Sequence, residues 1–384
     1  MIKTTKEQSH LNYIDTINFG SYYTPEKLVD IVYDMLNANI LDVNKYKIID
    51  TSCGYGNFLR NPNSIGADYD ATAVTKARNN RPYCKFHCHN SLKNVDRKQY
   101  NLSEDDKIII VGNPPYNDTT SIIRNDIKKE ICDIDADLKH RDMGVSFLLS
   151  YDKLNADYIC VLHPLSYLIK KANFESLKNF RKNYVLSDSL IVSSAEFSAT
   201  SKATAFPIII ALYSRNDSGM SYDFILKYKF KTKEGKTFSL NDFDNLSNYI
   251  TKYPNHKNLS LDNSIAFFWT MRDINALKRT KTFVENEVYN SIRVSKSKFS
   301  LYCYADVFKE YLTHVPYYFG NSEIMIDFNA FKSIEKSFVS KTLRKYAFLK
   351  NLANNTETKN ADTTDIDYYF KHLLGVHYVD KKVG

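Results

Sequence analysis

Long apolar runs are missing from this chain of 384 residues. The strongest, such as "FPIIIALY", is too short to span a bilayer, which excludes an ordinary transmembrane helix. The opening residues, "MIKTTKEQSHLNYI", hold no apolar core of a secretory signal. Cysteine is sparse, and Cys53, Cys84, Cys88, Cys132, Cys160 and Cys303 have no spacing suggestive of paired bridges. They are expected as reduced thiols in a cytoplasmic protein. Neither an internal repeat nor a low-complexity tract nor a nuclease motif is recognisable. A metal centre is also unexpected. "YCKFHCHN" crowds Cys84, His87, Cys88 and His89, but on a strand neighbours point apart, Phe86 and Cys88 one way, His87 and His89 the other.

What is present describes a folded protein. Hydrophobic residues make up 43% and charged residues 25%, ordinary values for a soluble chain. The length allows two domains, or one with an appendage. A formal net charge of +8 favours an acidic partner, of which nucleic acid is the commonest.

The first two-thirds alternates between strand and helix. "YYTPEKLVDIVYDMLNANI" opens a helix, with Thr24 as N-cap, Pro25 at the first helical position and Leu28, Ile31, Val32, Met35 and Leu36 at helical spacing. "YKIIDTSCGYGNFL" reads as strand, glycine turn and helix. Further strands are read in "SIGADYD", "CKFHCHNSL", "KIIIVG", "DYICVLHP", "SLIV" and "FPIIIALYS". The pattern predicts an α/β fold with a largely parallel sheet covered on both faces. Ligands of such sheets bind beyond the carboxyl ends of the strands, so the residues there are the candidates.

After the first strand stands Asp50-Thr-Ser-Cys-Gly54-Tyr-Gly56. Its glycines permit a tight turn and close approach of a guest. Leu59 replaces the third glycine of a dinucleotide fingerprint, which disfavours a pyrophosphate turn. Asp68 and Asp70 close the second strand, at a spacing suited to ribose hydroxyls. Alone, these features fit a structural turn equally well. After the fourth strand comes Asn113-Pro114-Pro115-Tyr116. Asn113 offers a carbonyl acceptor. Pro114 stiffens the backbone and presents its own carbonyl, and Pro115 holds Pro114 out of the helical region. Tyr116 adds a flat aromatic face. Two aimed acceptors beside a stacking platform suit a planar ring that bears an amino group.

In order and spacing these motifs resemble the S-adenosylmethionine-dependent amino-methyltransferases of DNA in their gamma arrangement, with cofactor motifs first, catalytic motif next and target recognition last. "FGSYYTP", "DTSCGYGNFL", "GADYD", "HNSL" and "FSATSKATAFPIIIAL" carry the likeness over roughly residues 19–213. Thr51, Ser52 and Tyr55 depart from the usual residues of the glycine turn, and Asn90 stands where Asp is frequent. The resemblance implies a Rossmann-like class I methyltransferase fold with a seven-stranded, mostly parallel sheet plus a C-terminal target-recognition domain. It divides the chain into a catalytic domain, 1–244, and a DNA-recognition domain, 245–384. S-adenosyl-L-methionine would be the cofactor, held by Tyr23, Thr24, Pro25, Asp50, Ser52, Cys53, Gly54, Gly56, Asp68, Tyr69, Asn90 and Ser91. Tyr69 reads equally as a solvent-facing side chain. The catalytic set would be Asn113, Pro114, Pro115, Tyr116 and Phe197, the last as a second aromatic beside a flipped base. The implied reaction is methylation of adenine N6 in double-stranded DNA by a protein that is monomeric on DNA, with a cognate restriction endonuclease as a further partner. Cytosine N4, RNA adenine and a protein glutamine amide are the alternatives.

Asn117–Gly144 reads either as a loop ordered by a ligand or as a helix with Ile122, Ile123, Ile127 and Ile131 inward. "YDFILKYKFKTKEGKTFSL" predicts a β-hairpin about Glu234-Gly235. Beyond it, Lys278, Arg279, Lys281, Arg293, Lys296 and Lys298 outnumber Glu285 and Glu287, among interleaved Tyr and Phe. This suits a phosphate-contacting surface, with a solvated basic face as the alternative. Trp269 is expected in the core, and Asn354–Asp367 as a mobile loop.

Overall fold

A computed structural model describes residues 24–116, 133–197, 205–255, 264–352 and 364–380. The chain divides into two compact units, Met1–Thr237 and Phe238–Gly384.

The first unit is built on seven strands: β1 (Lys47–Asp50), β2 (Ile65–Asp68), β3 (Lys85–Cys88), β4 (Ile108–Gly112), β5 (Tyr158–Pro164), β6 (Tyr184–Ser193) and β7 (Pro207–Arg215). Their order across the sheet is β3-β2-β1-β4-β5-β7-β6. Every pairing is parallel except the two made by β7, which runs against both β5 and β6. This is a Rossmann-like α/β fold, and the seven strands are those expected from the sequence. The order turns back at β1 and β4, so the carboxyl ends of these central strands face a crevice where ligands of open α/β sheets bind.

Both faces of the sheet are covered. Helix α1 (Glu26–Asn39) lays Leu28, Val29, Val32 and Leu36 against Ile48, Ile109, Val111, Leu162 and Ile210. Alternate residues such as Ile49, Ile110, Ile159 and Ile209 are buried as well, and strands enclosed on both faces read as continuous apolar runs. Helix α2 (Ala71–Asn80) is capped by Asp70, whose carboxylate accepts from the Thr72 and Ala73 amides. Helix α3 (Met143–Lys153) is buried from Met143 to Tyr151.

Local expectations fail in four places. Pro25, not Thr24, stands immediately before α1, with ψ 144 and no side-chain cap; the Thr24 hydroxyl is used elsewhere. No helix follows the glycine turn. Gly54 and Gly56 have φ of +50° and +81°, and the Gly56 amide donates to Cys53 and that of Leu59 to Gly56, so the chain stays in successive turns. Tyr222–Lys227 is a short helix capped by Ser221, and only β8 (Phe230–Lys231) and β9 (Thr237–Phe238) form the hairpin, with Gly235 at φ +76° in its turn. Finally, Thr364–Asp367 begin a helix rather than a loop.

The second unit contains a two-stranded pair, β10 (Asp244–Asn245) with β14 (Met325–Ile326), and a three-stranded antiparallel sheet. That sheet sets β11 (Ser264–Trp269) between β12 (Phe283–Val284) and β13 (Ser291–Ser295). Trp269 is half-buried at the end of β11. Helices α4 (Phe299–Glu310), α5 (Glu335–Lys345) and α6 (Thr364–Leu374) enclose an aromatic core of Tyr304, Phe308, Phe331, Phe338, Tyr369 and Phe370. No described helix is long and apolar enough to cross a membrane.

Candidate functional site

The site forms where β1 and β4 end side by side. Their register sets Ile49 beside Ile110, so Asp50 and Gly112 emerge as neighbours. A Cβ built on Gly112 would stand 2.8 Å from Asp50 Oδ1, and Gly112 has φ +148°. Glycine is therefore needed before Asn113 on two counts, conformation and space.

Asp50 is 1% exposed and accepts from the Ser52 amide at 3.1 Å. Among the described residues it makes no ion pair. Burial, with a smaller push from Asp68, raises its pKa to about 8. Asp68, at the end of β2, accepts from the amides of Gly54 at 2.8 Å and Asp70 at 2.9 Å. Burial raises its pKa also. Two such carboxyls at a glycine turn make a slot for a guest with positive charge and hydrogen-bond donors. Ser52 adds an enclosed hydroxyl with no hydrogen-bond partner among the described residues. The Cys53 thiol is buried, and burial pushes its pKa up, which makes it a wall rather than a nucleophile.

Thr24 ties the two turns together. Its carbonyl accepts from Asn57 Nδ2 at 3.1 Å, and its hydroxyl from Asn113 Nδ2 at 3.1 Å. With its nitrogen held there, the Asn113 amide directs its oxygen away from Thr24. Pro114 is buried; Pro115 and Tyr116 are half-buried, and Tyr116 packs against the cluster beneath α1.

The mount of Tyr116 was not legible in the sequence. A Cβ on Gly144, in the first turn of α3, would meet Tyr116 Cβ at 3.0 Å and the Tyr167 hydroxyl more closely still. The Tyr167 hydroxyl donates to Asp142, which also accepts from the Gly144 amide at 3.0 Å. Behind it the His163 ring lies parallel to Tyr167, with centroids 5.2 Å apart, and its Nε2 is 2.7 Å from the Tyr213 hydroxyl. Burial lowers the His163 pKa to about 4, so this ring is a neutral spacer. Only a glycine at the start of a buried helix hinted at such a mount.

The other expected residues are placed less simply. Tyr69 is 47% exposed, next to Asp68. The Asn90 amide already has backbone partners at both ends: Nδ2 donates to Asp133 O at 2.8 Å, and Oδ1 accepts from the Leu92 amide at 3.0 Å. Ser91 is buried. Phe197 is 2% exposed, inside the hydrophobic cluster against which Tyr116 and Phe206 pack, so its ring is enclosed rather than presented. Tyr23 and most of Asn117–Gly144, residues 117–132 with all four isoleucines, lie outside the described residues. His87 and His89 do share a face, with ring centroids 6.0 Å apart, while Phe86 packs against Cys53, Leu59 and Ala77. Among the described residues no group of three or more His, Cys, Asp or Glu could hold a metal ion.

No protein-family model matches the chain, and no curated protein matches it. Solved structures do. The methyltransferase subunit of a type I restriction-modification system from Streptococcus thermophilus is 16% identical, over 58% of this chain and 48% of that one, with TM-score 0.40. A provisionally described RNA methyltransferase from Pyrococcus horikoshii is 16% identical over 52% of this chain and 88% of that one, with TM-score 0.35. DrdV, in a complex with DNA, is 12% identical over 58% of this chain and 29% of that one, with TM-score 0.40. The chain thus spans half or less of the restriction-modification subunit and of DrdV. At such scores the neighbours select neither a substrate nor a base.

Proposed function

We propose that the protein is an S-adenosylmethionine-dependent methyltransferase that acts on adenine N6 in double-stranded DNA as part of a restriction-modification system. The observation that carries this reading is the Asn113–Tyr116 turn beside the buried Asp50, which makes no ion pair among the described residues, at the ends of β4 and β1. The donor set fits the cofactor: its ammonium and sulfonium are cations, and the buried Asp50 and half-buried Asp68 have no cationic partner among the described residues. When bound, S-adenosylmethionine supplies an electrophilic methyl group.

The remaining work falls to this chain. Asp50 and the Gly54–Gly56 backbone hold the amino-acid end, and Asp68 takes the ribose hydroxyls. Tyr69 covers the adenine face, and Ser52 and Ser91 offer hydroxyls. Asn90 reaches the adenine edge with its second N–H and its second carbonyl lone pair, one of each being already engaged by backbone. The target base is flipped out of the duplex, because its amino group is otherwise paired and shielded. Tyr116 stacks on it, worth about 1–3 kcal/mol, and Phe197 backs the cluster on which Tyr116 rests. Asn113 Oδ1 and the Pro114 carbonyl accept from the amino group, turning its lone pair toward the methyl donor. Positioning and fixed dipoles then carry the catalysis.

Asn113→Ala tests the division of labour. Methyl transfer should fall by about a thousandfold, the scale of losing one preorganised polar group, while calorimetric affinity for the cofactor stays near wild type. Retained transfer would remove Asn113 from the reaction. Joint loss of transfer and cofactor binding would contradict the assignment of the cofactor to Asp50 rather than Asn113.

A further inference from the structure

The second unit holds a cleft of about 320 Å³ between the segment Ser247–Thr251 and the start of α4. Its lining is rich in donors: Arg293, Lys298, Asn248, Thr251, Ser264 and Ser295. No carboxylate lines it among the described residues. The strand register explains the convergence. Ser264 pairs with Ser295 and Phe267 with Arg293, while Ile292 and Val294 point into the core. Arg293 and Ser295 therefore share the opposite face of β13. Lys298 follows directly, is exposed, and forms no ion pair among the described residues.

The walls are fixed before any guest arrives. The Tyr302 hydroxyl donates to Thr251 O at 2.8 Å, tying the segment to α4. The Tyr249 ring stacks on Phe328 at 4.1 Å, and its hydroxyl donates to Asp244. Glu287 grips the Arg293 guanidinium through Nε at 2.7 Å and Nη2 at 3.0 Å, which orients it. The cleft lies at the lower end of ligand-pocket sizes, too roomy for one phosphate and suited to a phosphate with its sugar.

We infer that this cleft binds a phosphorylated nucleotide unit, supplied by the backbone of a nucleic acid. The phosphate would meet Lys298 and Arg293, and the hydroxyl-bearing wall the sugar. The choice of a nucleic-acid backbone over a free nucleotide rests on the function proposed above; the anionic chemistry does not.

The test is fluorescence anisotropy of the full-length protein with a labelled DNA duplex across a salt series, with adenosine monophosphate and inorganic phosphate as competitors. Lys298→Glu should weaken duplex binding about tenfold or more and lower the slope of log K against log salt by about 1. Lys336→Glu, an equal charge reversal at an exposed position of α5, should stay within about twofold of wild type. Both positions are exposed, so folding is not at issue. Displacement by the mononucleotide in wild type but not in Lys298→Glu, with feeble duplex binding, would keep the cleft and make a free nucleotide its occupant. Equal effects of the two variants, or no binding of either ligand, would overturn the assignment. A protein that binds through Lys298 yet methylates no base keeps the cleft and overturns the proposed reaction.

Discussion

Two buried aspartates, one in each unit, have opposite surroundings. Asp306, on α4 and fully buried, is satisfied from within: Oδ1 accepts from Thr282 at 2.5 Å, Tyr346 at 2.8 Å and Lys345 at 3.0 Å. Asp50 is as deeply buried but receives a single backbone amide and no cation among the described residues. A buried carboxyl without a partner is costly to ionise and holds its proton instead, so a fold that keeps one has left room for a cationic partner from outside. The comparison separates a carboxylate that holds the protein together from one that waits for a ligand.

The largest effect should come from breaking the satisfied one. Asp306→Ala removes the shared acceptor of Thr282, Tyr346 and Lys345, leaving, among the described residues, the two hydroxyls only each other and Lys345 only Glu310, and is expected to cost the second unit about 1–3 kcal/mol, read by denaturant unfolding; a loss near zero would mean the network is slack.

Asp50→Asn should act in the other direction on the ligand-free protein. The folded carboxyl titrates near 8 against an ordinary 3.8, so the folded state keeps the extra proton. Its contribution to stability is complete below pH ~4 and is lost as pH rises toward 8. Asp68, raised by burial too, pulls the same way. The variant should therefore flatten, without abolishing, the fall in melting temperature between about pH 4 and pH 8, and be the more stable protein by pH 8. It should bind cofactor far more weakly. An unchanged pH profile would remove the uncompensated charge from the account.

Thr24→Val is the mildest probe. It deletes the acceptor for Asn113 Nδ2, at about 0.5–1.5 kcal/mol. Turnover should drop with little change in cofactor affinity, and unaltered turnover would show that Asn113 needs no such anchor.

What could be read in advance divides along the same line. The central strands announced themselves because strands buried on both faces are continuous apolar runs, as in "KIIIVG" and "FPIIIALYS". Asp50, Gly54 and Asn113 follow such runs directly, so strand ends and candidate site were visible together. The antiparallel setting of β7 was not, since pairing direction leaves no mark on a strand's composition. The missing helix after Gly56 was hidden because Asn57-Phe58-Leu59 can continue either a turn or a helix. The Asp142–Tyr167–Gly144 mount of Tyr116 depends on residues distant in sequence. In the second unit, interleaved tyrosine, phenylalanine and lysine give no period that separates the aromatic core from the cleft. There Arg293 and Lys298 stood out only as members of a basic run.

The most direct test of the central claim is product analysis. Purified protein and S-adenosylmethionine are incubated with unmethylated bacterial genomic DNA, which is digested to nucleosides and read by mass spectrometry. The account predicts N6-methyladenine, absent with Asn113→Ala. N4-methylcytosine would keep the amino-group chemistry and correct the base. No modified base, from protein shown to bind the cofactor, would contradict DNA as the substrate and turn the search to RNA adenine or a protein glutamine.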